Sequence, residues 1–297
     1  MPKDLITTAL IIGISGQDGS YMAELLLSKN YKVYGMVRRS SSNNLERIKH
    51  ILPRITLLYG DLTDSSSIEK VVNESKPDEI YNLGAMSFVP ASWTQPLLTF
   101  DINCLGLLRL IQASEYYDSK IYQASTSEMY GNDYPNFKPI SPYGISKLAA
   151  HNLASAYRKK GRFISCGICF NHESPRRGEE FVTQKIARFS KNPKGLLQLG
   201  NLDASRDWGF AGDYVEAMWL MMQQDKAEDY EICMGESHTI REFLDFAIPD
   251  WKNKIEINKS LKRTNEVHFL EGNPSKIRGI GWEPHISFKK LVRMMCG

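Results

Sequence analysis

Through the first two-thirds of the chain, short apolar runs alternate with amphipathic stretches. Ala9–Ile14, Lys32–Val37, Ile55–Leu58, Glu79–Leu83, Ile121–Ala124 and Phe163–Phe170 have the length and composition of buried strands. Between them, Gly19–Lys29, Ser65–Glu74, Leu97–Tyr116 and Tyr143–Lys160 place apolar residues at helical spacing. This alternation predicts a parallel sheet with helices on both faces, and right-handed crossovers make it doubly wound. After Phe170 the rhythm changes. Asn171–Leu202 predicts a loop, a helix over Glu180–Phe189 and a short strand. Phe210–Gln224 predicts a strongly apolar helix that buries Met218, Trp219, Met221 and Met222, and Tyr230–Met234 another strand. From Ser237 only short elements and turns are expected. The predicted organisation is a large domain of residues 1–170 and 205–235, with a smaller discontinuous lobe of 171–204 and 236–297.

Composition narrows the class. The 297 residues are 42% hydrophobic, and 37 basic against 34 acidic side chains leave a formal charge of +3, which excludes a mostly disordered chain. No apolar run is long enough to predict a membrane span. Basic residues form no long run, so no nucleic-acid partner is expected. The start, Met1-Pro2-Lys3-Asp4, carries no signal-peptide pattern, and five scattered Cys suit a reducing compartment. The expectation is a cytoplasmic protein. Cys166 and Cys169 have zinc or redox spacing, but inside a strand they face opposite sides, and no second pair exists. They are expected in the core, His238, His268 and His285 in surface or loop positions, Trp93 in a helix-entry loop, and no metal is expected.

The first candidate chemistry follows the first strand. Gly13-Ile14-Ser15-Gly16-Gln17-Asp18-Gly19 runs into a helix, where glycines let the backbone turn and approach a pyrophosphate that the helix N-terminus attracts. In this context the loop predicts a Rossmann dinucleotide site. After the second strand stand Arg38, Arg39, Ser40 and Ser41 where NAD enzymes place an acid. Guanidiniums and hydroxyls there suit a 2′-phosphate, so the expected cofactor is NADP. Asp61 and Leu62 after the third strand are expected near the adenine, and Leu83, Gly84 and Ala85 after the fourth beneath the cofactor.

The second candidate chemistry lies after the fifth strand. Tyr143 and Lys147 are one helical turn apart, and Ser141-Pro142 is a good helix start. A Lys ammonium beside a phenol favours the phenolate, which can take a proton from a sugar hydroxyl as hydride leaves the same carbon. Two other Tyr-x-x-x-Lys pairs lack this setting: Tyr116/Lys120 precedes a strand, and Tyr134/Lys138 lies in a Pro-containing loop. Thr126 and Glu128 end the fifth strand, on the side where such sheets bind ligands. Thr126 can hold a substrate oxygen. Glu128 adds an acid–base group that simple hydride transfer does not need.

Eight stretches together carry a resemblance: Gly13–Glu24, Val37–Ser42, Tyr59–Ser66, Glu79–Ala85, Tyr122–Gly131, Ser141–Lys147, Phe170–Gly178 and Arg206–Gln224. Through them the sequence resembles the extended short-chain dehydrogenase/reductases and, more closely, the GDP-mannose 4,6-dehydratase family. The Phe170–Gly178 and Arg206–Gly209 runs are the most specific. The resemblance implies redox-neutral dehydration of GDP-mannose with retained NADP, with Thr126, Glu128, Tyr143 and Lys147 catalytic. It further implies that His172 and Arg177 contact the cofactor, Arg177 from this chain or from a neighbouring subunit. Ser87 would serve both ligands, and Asn171, Val182, Lys185 and Arg206 would line the substrate site. Arg263 and Glu266 would serve the diphosphate and ribose, although Thr264 replaces the family's proline. A homodimer or homotetramer is implied. The 131–141 loop and the 248–263 segment are shorter than the family pattern. The alternatives are another nucleotide-sugar epimerase or 4-keto reductase, which needs no Glu128, and a catalytically silent NADP-sensing protein, which needs no catalytic set.

Overall fold

The computed structural model describes residues 6–41, 44–261 and 266–297. Its centre is a seven-stranded sheet. β1 (Thr8–Ile12), β2 (Lys32–Val37), β3 (Thr56–Tyr59), β4 (Glu79–Asn82), β5 (Lys120–Thr126) and β6 (Ile164–Cys169) are joined by an edge strand, Asp229–Ile232. The order is Asp229–Ile232, β6, β5, β4, β1, β2, β3, and every pair is parallel. The order reverses between β1 and β4, so the ligand crevice belongs at the carboxyl ends of those strands. The doubly wound Rossmann expectation is met.

Strand alternation divides the core. Ile11 and Tyr122 pack on one face with Met22, Leu26, Met218 and Met222 of the Gln17–Ser28 and Ala211–Met222 helices. Leu10, Ile12 and Ile121 pack on the other with Val72, Leu110, Ala150 and Ala154. Each fully buried Leu, Ile or Met side chain contributes about 1.5–3 kcal/mol. Cys169 lies in the first cluster and Cys166 in the second, as their spacing in a strand required.

A third core corrects the expectation of short elements and turns after Ser237. Helices Val182–Lys191, Ile240–Ala247 and Phe288–Cys296 close around Trp208, Phe243 and Phe288. Thr239 and Glu242 form a reciprocal cap that starts the second of these helices. His238 is half-buried and stacks on Phe288 at 3.8 Å, where a surface or loop residue was expected. His268 and His285 are on the surface. Trp93 sits inside a short helix, Val89–Thr94.

The helix expected over Leu97–Tyr116 is present over residues 96–113, with a π turn inside it. Pro96–Phe100 and Gly106–Ala113 are α-helical, Asp101–Leu105 is a π turn, and Glu115–Tyr117 is a 3-10 turn. Two tertiary pairings were also invisible in the sequence. Asn171–Glu173 pairs with Trp208–Phe210, and Ser205–Arg206 lies between His238–Thr239 and Phe269–Leu270. They bring Asn171, His172 and Arg206 to the crevice. Among the described residues no helix is long and apolar enough to cross a membrane.

Candidate active site

A cleft of about 1310 Å³ opens at the carboxyl ends of the central strands. Single small-molecule pockets usually enclose about 300–1,000 Å³, so this space suits two ligands side by side. At one end the glycine loop wraps under the N-terminus of the Gln17–Ser28 helix. A Cβ added at Gly19 would lie 2.3 Å from the carbonyl oxygen of Gly13. Only glycine permits that closeness, and the first-turn N–H groups have no partners within their own helix. The cradle therefore fits a pyrophosphate. Gly19→Ala is expected to abolish dinucleotide binding and to destabilise the fold by about 1–3 kcal/mol through overpacking. Calorimetric titration and thermal melting check both effects.

Asp18 and His172 meet beside this loop. His172 Nε2 lies 2.9 Å from Asp18 Oδ2, and its Nδ1 lies 2.7 Å from the Phe170 carbonyl oxygen. Burial opposes the Asp18 charge, yet His172, Gln17 and Arg177 hold the carboxyl at about 2. Burial likewise opposes the His172 charge, and Asp18 overrides it to raise the imidazole. Asp18 thus orients His172, while Gln17 donates to the His172 carbonyl and accepts from Ser174. The most specific sequence run, Phe170–Gly178, is latched to the glycine loop.

Arg38, Ser40 and Ser41 line the cleft beyond β2, whereas Arg39 is exposed and outside the lining. Sequence reasoning missed Arg47 in the same wall. It donates to the Arg176 carbonyl at 2.8 Å and to that of Ser15 at 3.4 Å. It belongs to a 3-10 segment, Glu46–Arg54, that also went unpredicted. Asp61 and Leu62 line the same end, the Asp61 carboxylate accepting from Thr63 N–H and Oγ1–H. Leu83, Gly84, Ala85 and Ser87 form the wall after β4.

β5 ends at Thr126, whose hydroxyl accepts the Glu128 N–H at 3.3 Å and starts a single 3-10 turn, Ser127–Met129. The Pro142–Lys159 helix begins against that turn. Ser141 Oγ accepts the Gly144 N–H at 3.1 Å, and a Cβ at Gly144 would lie 2.8 Å from the Glu128 carbonyl oxygen. This contact brings Tyr143 beside Thr126, whose side chain draws the phenol down, and into the field of Glu128. Burial pushes the Tyr143 phenol well up, Thr126 and Arg177 draw it down, and Glu128 raises it. Lys147, one turn on, donates to the Ala124 carbonyl at 2.8 Å. Burial lowers its ammonium to about 8, against Cys169 and Asp18, which favour the charge. The Tyr–Lys pair shares a face as expected. The protein's own groups do not lower the phenol as the sequence predicted, because burial outweighs the one cation that acts on it, Arg177.

Asn103 is the second residue the sequence reading missed. From the π turn its amide binds the Met86 N–H and carbonyl, at 2.9 and 3.2 Å, and donates to Ser146 Oγ at 3.0 Å. It ties the wall after β4 to the Pro142–Lys159 helix. A lone buried amide in an apolar helical run was the available signal.

On the other side stand Asn171, Val182, Lys185, Arg206 and Glu266, all in the cleft lining. Arg206 is buried, and Glu266 accepts from Asn201 Nδ2 at 2.7 Å. Arg177 lines its own chain's cleft, ion-paired with buried Glu173 at 3.1 Å and lying over the Phe181 ring. Arg263 lies outside the described residues.

The family model described as GDP-mannose 4,6 dehydratase matches residues 10–295. The chain belongs to the GDP-mannose 4,6-dehydratase family. It is 48% identical to GDP-mannose 4,6 dehydratase 1 of Arabidopsis thaliana, covering 97% of this chain and 88% of that one. The GDP-mannose 4,6 dehydratase of Homo sapiens is 45% identical over 97% and 90%, and that of Vibrio cholerae 40% over 97% and 92%. These alignments extend over 317 to 342 positions, against 297 residues in the chain. The relatives therefore carry residues that this member of the GDP-mannose 4,6-dehydratase family lacks. Its fold matches a Thermus thermophilus UDP-glucose 4-epimerase in complex with NAD (TM-score 0.86, 24% identity, 97% of both chains). It also matches a Streptomyces venezuelae dTDP-glucose 4,6-dehydratase with NAD bound (TM-score 0.85, 24% identity, 97% and 95%).

Proposed function

We propose that the protein is an NADP-dependent hydro-lyase that dehydrates GDP-D-mannose to GDP-4-keto-6-deoxy-D-mannose in deoxysugar-nucleotide biosynthesis. Glu128 carries the reading. A carboxylate within the field of Tyr143, at the end of β5, is a second proton-transfer group that oxidation or 4-epimerisation alone does not need.

A nicotinamide held along the glycine loop would supply reversible hydride storage between C4 and C6. The side chains move the protons. Tyr143 takes the C4 hydroxyl proton while Thr126 holds that oxygen. The resulting ketone acidifies C5–H. Glu128 removes this proton and, with Thr126, delivers it to the departing C6 hydroxyl, which leaves as water. C5 is then reprotonated. Lys147 supplies a cation one turn from the phenol and a hand to the cofactor ribose. In this reading residues 1–170 and 205–235 hold the dinucleotide, through the glycine loop, Arg38, Ser40, Asp61 and the Leu83–Ser87 wall, and His172 and Arg177 reach it from the smaller lobe. The remainder holds the nucleotide sugar, and Arg206 reaches its diphosphate from the larger domain.

Incubation with GDP-mannose in D₂O, without added reductant, tests the reaction. The expected product has lost one water and keeps one carbon-bound deuterium at C5. Unchanged GDP-mannose, or an isomer of equal mass, overturns the assignment.

The choice of NADP is supported by Arg38, Ser40, Ser41 and Arg47 in the wall beyond β2. Charge-assisted hydrogen bonds to a 2′-phosphate contribute roughly 1.5–3 kcal/mol. Arg38→Ala is therefore expected to weaken NADPH binding about tenfold or more while leaving NADH affinity within about twofold. Fluorescence titration of both nucleotides checks this. The reading includes a cytoplasmic homo-oligomer, dimer or tetramer. Exposed Trp93, Leu97, Leu105 and Ile145, on helical segments around the catalytic helix, support the self-association, and sedimentation measures it.

A further inference from the structure

The Pro142–Lys159 helix presents three chemically active side chains at four-residue spacing. Tyr143 and Lys147 face the cleft, and His151 continues their row into the protein. His151 is buried, at 5% exposure, and the mechanism above does not use it. Its Nδ1 lies 3.0 Å from Ser125 Oγ, on the residue between Ala124, whose carbonyl holds Lys147, and Thr126. Its Nε2 lies 3.7 Å from Asp229 Oδ2. Ser125 is part of the cleft lining. Asp229 lines a second cavity of about 370 Å³ at the sheet edge, with Tyr134, Glu231 and Lys276. Ser125, His151 and Asp229 thus form a polar row between two solvent-reachable spaces, one hydrogen bond and one 3.7 Å step, beside an apolar cluster that includes Ile121, Ala150 and Ala154.

We propose that Ser125, His151 and Asp229 are a proton path joining the catalytic cleft to the outer cavity. The proposal rests on the dehydratase reading, in which Tyr143 gains a proton and C5 regains one while ligands fill the cleft. A neutral imidazole accepts a proton on one nitrogen and gives one from the other. For inward transfer, the Asp229 carboxylate takes a proton from water in the outer cavity and passes it across the 3.7 Å step to Nε2, Nδ1 passes one to Ser125 Oγ, and the Ser125 hydroxyl passes its own into the cleft. No electron pair changes owner beyond these O–H and N–H bonds. Flipping of the ring and rotation of the hydroxyl then reset the row. Outward transfer is the reverse.

The surroundings favour this use over metal binding. His151, Cys166 and Asp229 offer ligand atoms within 4.8 Å of one another. However, the Arg158 guanidinium is ion-paired with Asp229 Oδ1 and reaches Cys166 Sγ at 3.7 Å, so a cation already stands there. The groups facing His151 are Ser125 from β5, Cys166 from β6, Asp229 from the edge strand, Arg158 from its own helix, and the Phe137 ring. Burial, with Arg158, holds the imidazole below its ordinary value against the pull of Asp229. The ring is therefore neutral at neutral pH, which is the form that can accept a proton.

His151→Phe keeps a buried ring and removes both nitrogens. His151→Gln keeps polar contacts to Ser125 and towards Asp229 but cannot take and give a proton. Both are expected to lower kcat on the order of tenfold, with KM for GDP-mannose and NADPH affinity within about twofold of wild type. Ser125→Ala should match them. A Gln variant with wild-type kcat beside a slow Phe variant would show that His151 only holds the structure together, and would overturn the path. So would wild-type kcat in both His151 variants. Absence of dehydration by the unaltered protein would instead reject the dehydratase reading itself, so the two failures are distinguishable.

Discussion

Tyr143→Phe is expected to lower turnover of GDP-mannose by roughly 10³-fold, within the usual range for losing a positioned proton-transfer group. The ring is buried at 8% exposure, so phenylalanine preserves the packing and removes one hydroxyl. That hydroxyl is the group whose pKa Thr126, at the end of β5, draws down. Without it, nothing takes the C4 hydroxyl proton, so no ketone forms and no later step begins. The variant should bind GDP-mannose and NADPH within a few-fold of wild type. Rapid-quench mass spectrometry should find substrate alone on the enzyme. Accumulation of a 4-keto sugar would show that another base performs the first step and would remove Tyr143 from its assigned role.

Glu128→Gln is expected to stop the same reaction one stage later. The amide has almost the shape of the carboxylate but cannot accept the C5 proton. Oxidation at C4 should still proceed, because Tyr143, Thr126 and Lys147 are intact. GDP-4-keto-mannose should therefore accumulate to about the enzyme concentration, while net dehydration falls about 10²–10³-fold. In D₂O the trapped sugar should carry no deuterium at C5. Wild-type dehydration by this variant, or normal deuterium uptake at C5, would assign the proton to another group and leave Glu128 without a catalytic part. Removing the Glu128 charge should also lower the Tyr143 phenol, since that charge raises it. The oxidation step should then extend to lower pH than in wild type.

The two substitutions divide the site as the chain builds it. Tyr143 and Lys147 come from one helix, so their relation is fixed by a local repeat and was legible from spacing alone. Glu128 meets Tyr143 only because Gly144 lets the helix start rest against the Glu128 carbonyl. Tyr143–Lys147 chemistry was predictable from a helix start, whereas the phenol's raised pKa was not. Burial depends on everything folded over it, and the Lys147 ammonium is engaged by the Ala124 carbonyl. Arg47 and Asn103 escaped notice for a related reason. Each acts by reaching backbone groups far away in sequence, Arg47 on Ser15 and Arg176, and Asn103 on Met86. No periodicity records such a reach.

What the sequence by itself determined is whatever repeats locally. Alternating apolar runs fixed the parallel sheet, glycine spacing the dinucleotide loop, and a four-residue interval the Tyr–Lys face. The motif runs also marked the family. Only the tertiary structure decided the latch between His172 and Asp18, and the pairings that carry Asn171 and Arg206 to the cleft. It also decided the core of three helices around Trp208 and the row from Ser125 through His151 to Asp229. The physical reason is range. Backbone geometry acts over a few residues and leaves a period in the sequence. Burial and charge pairing act through space between segments that meet only after the chain has closed on itself.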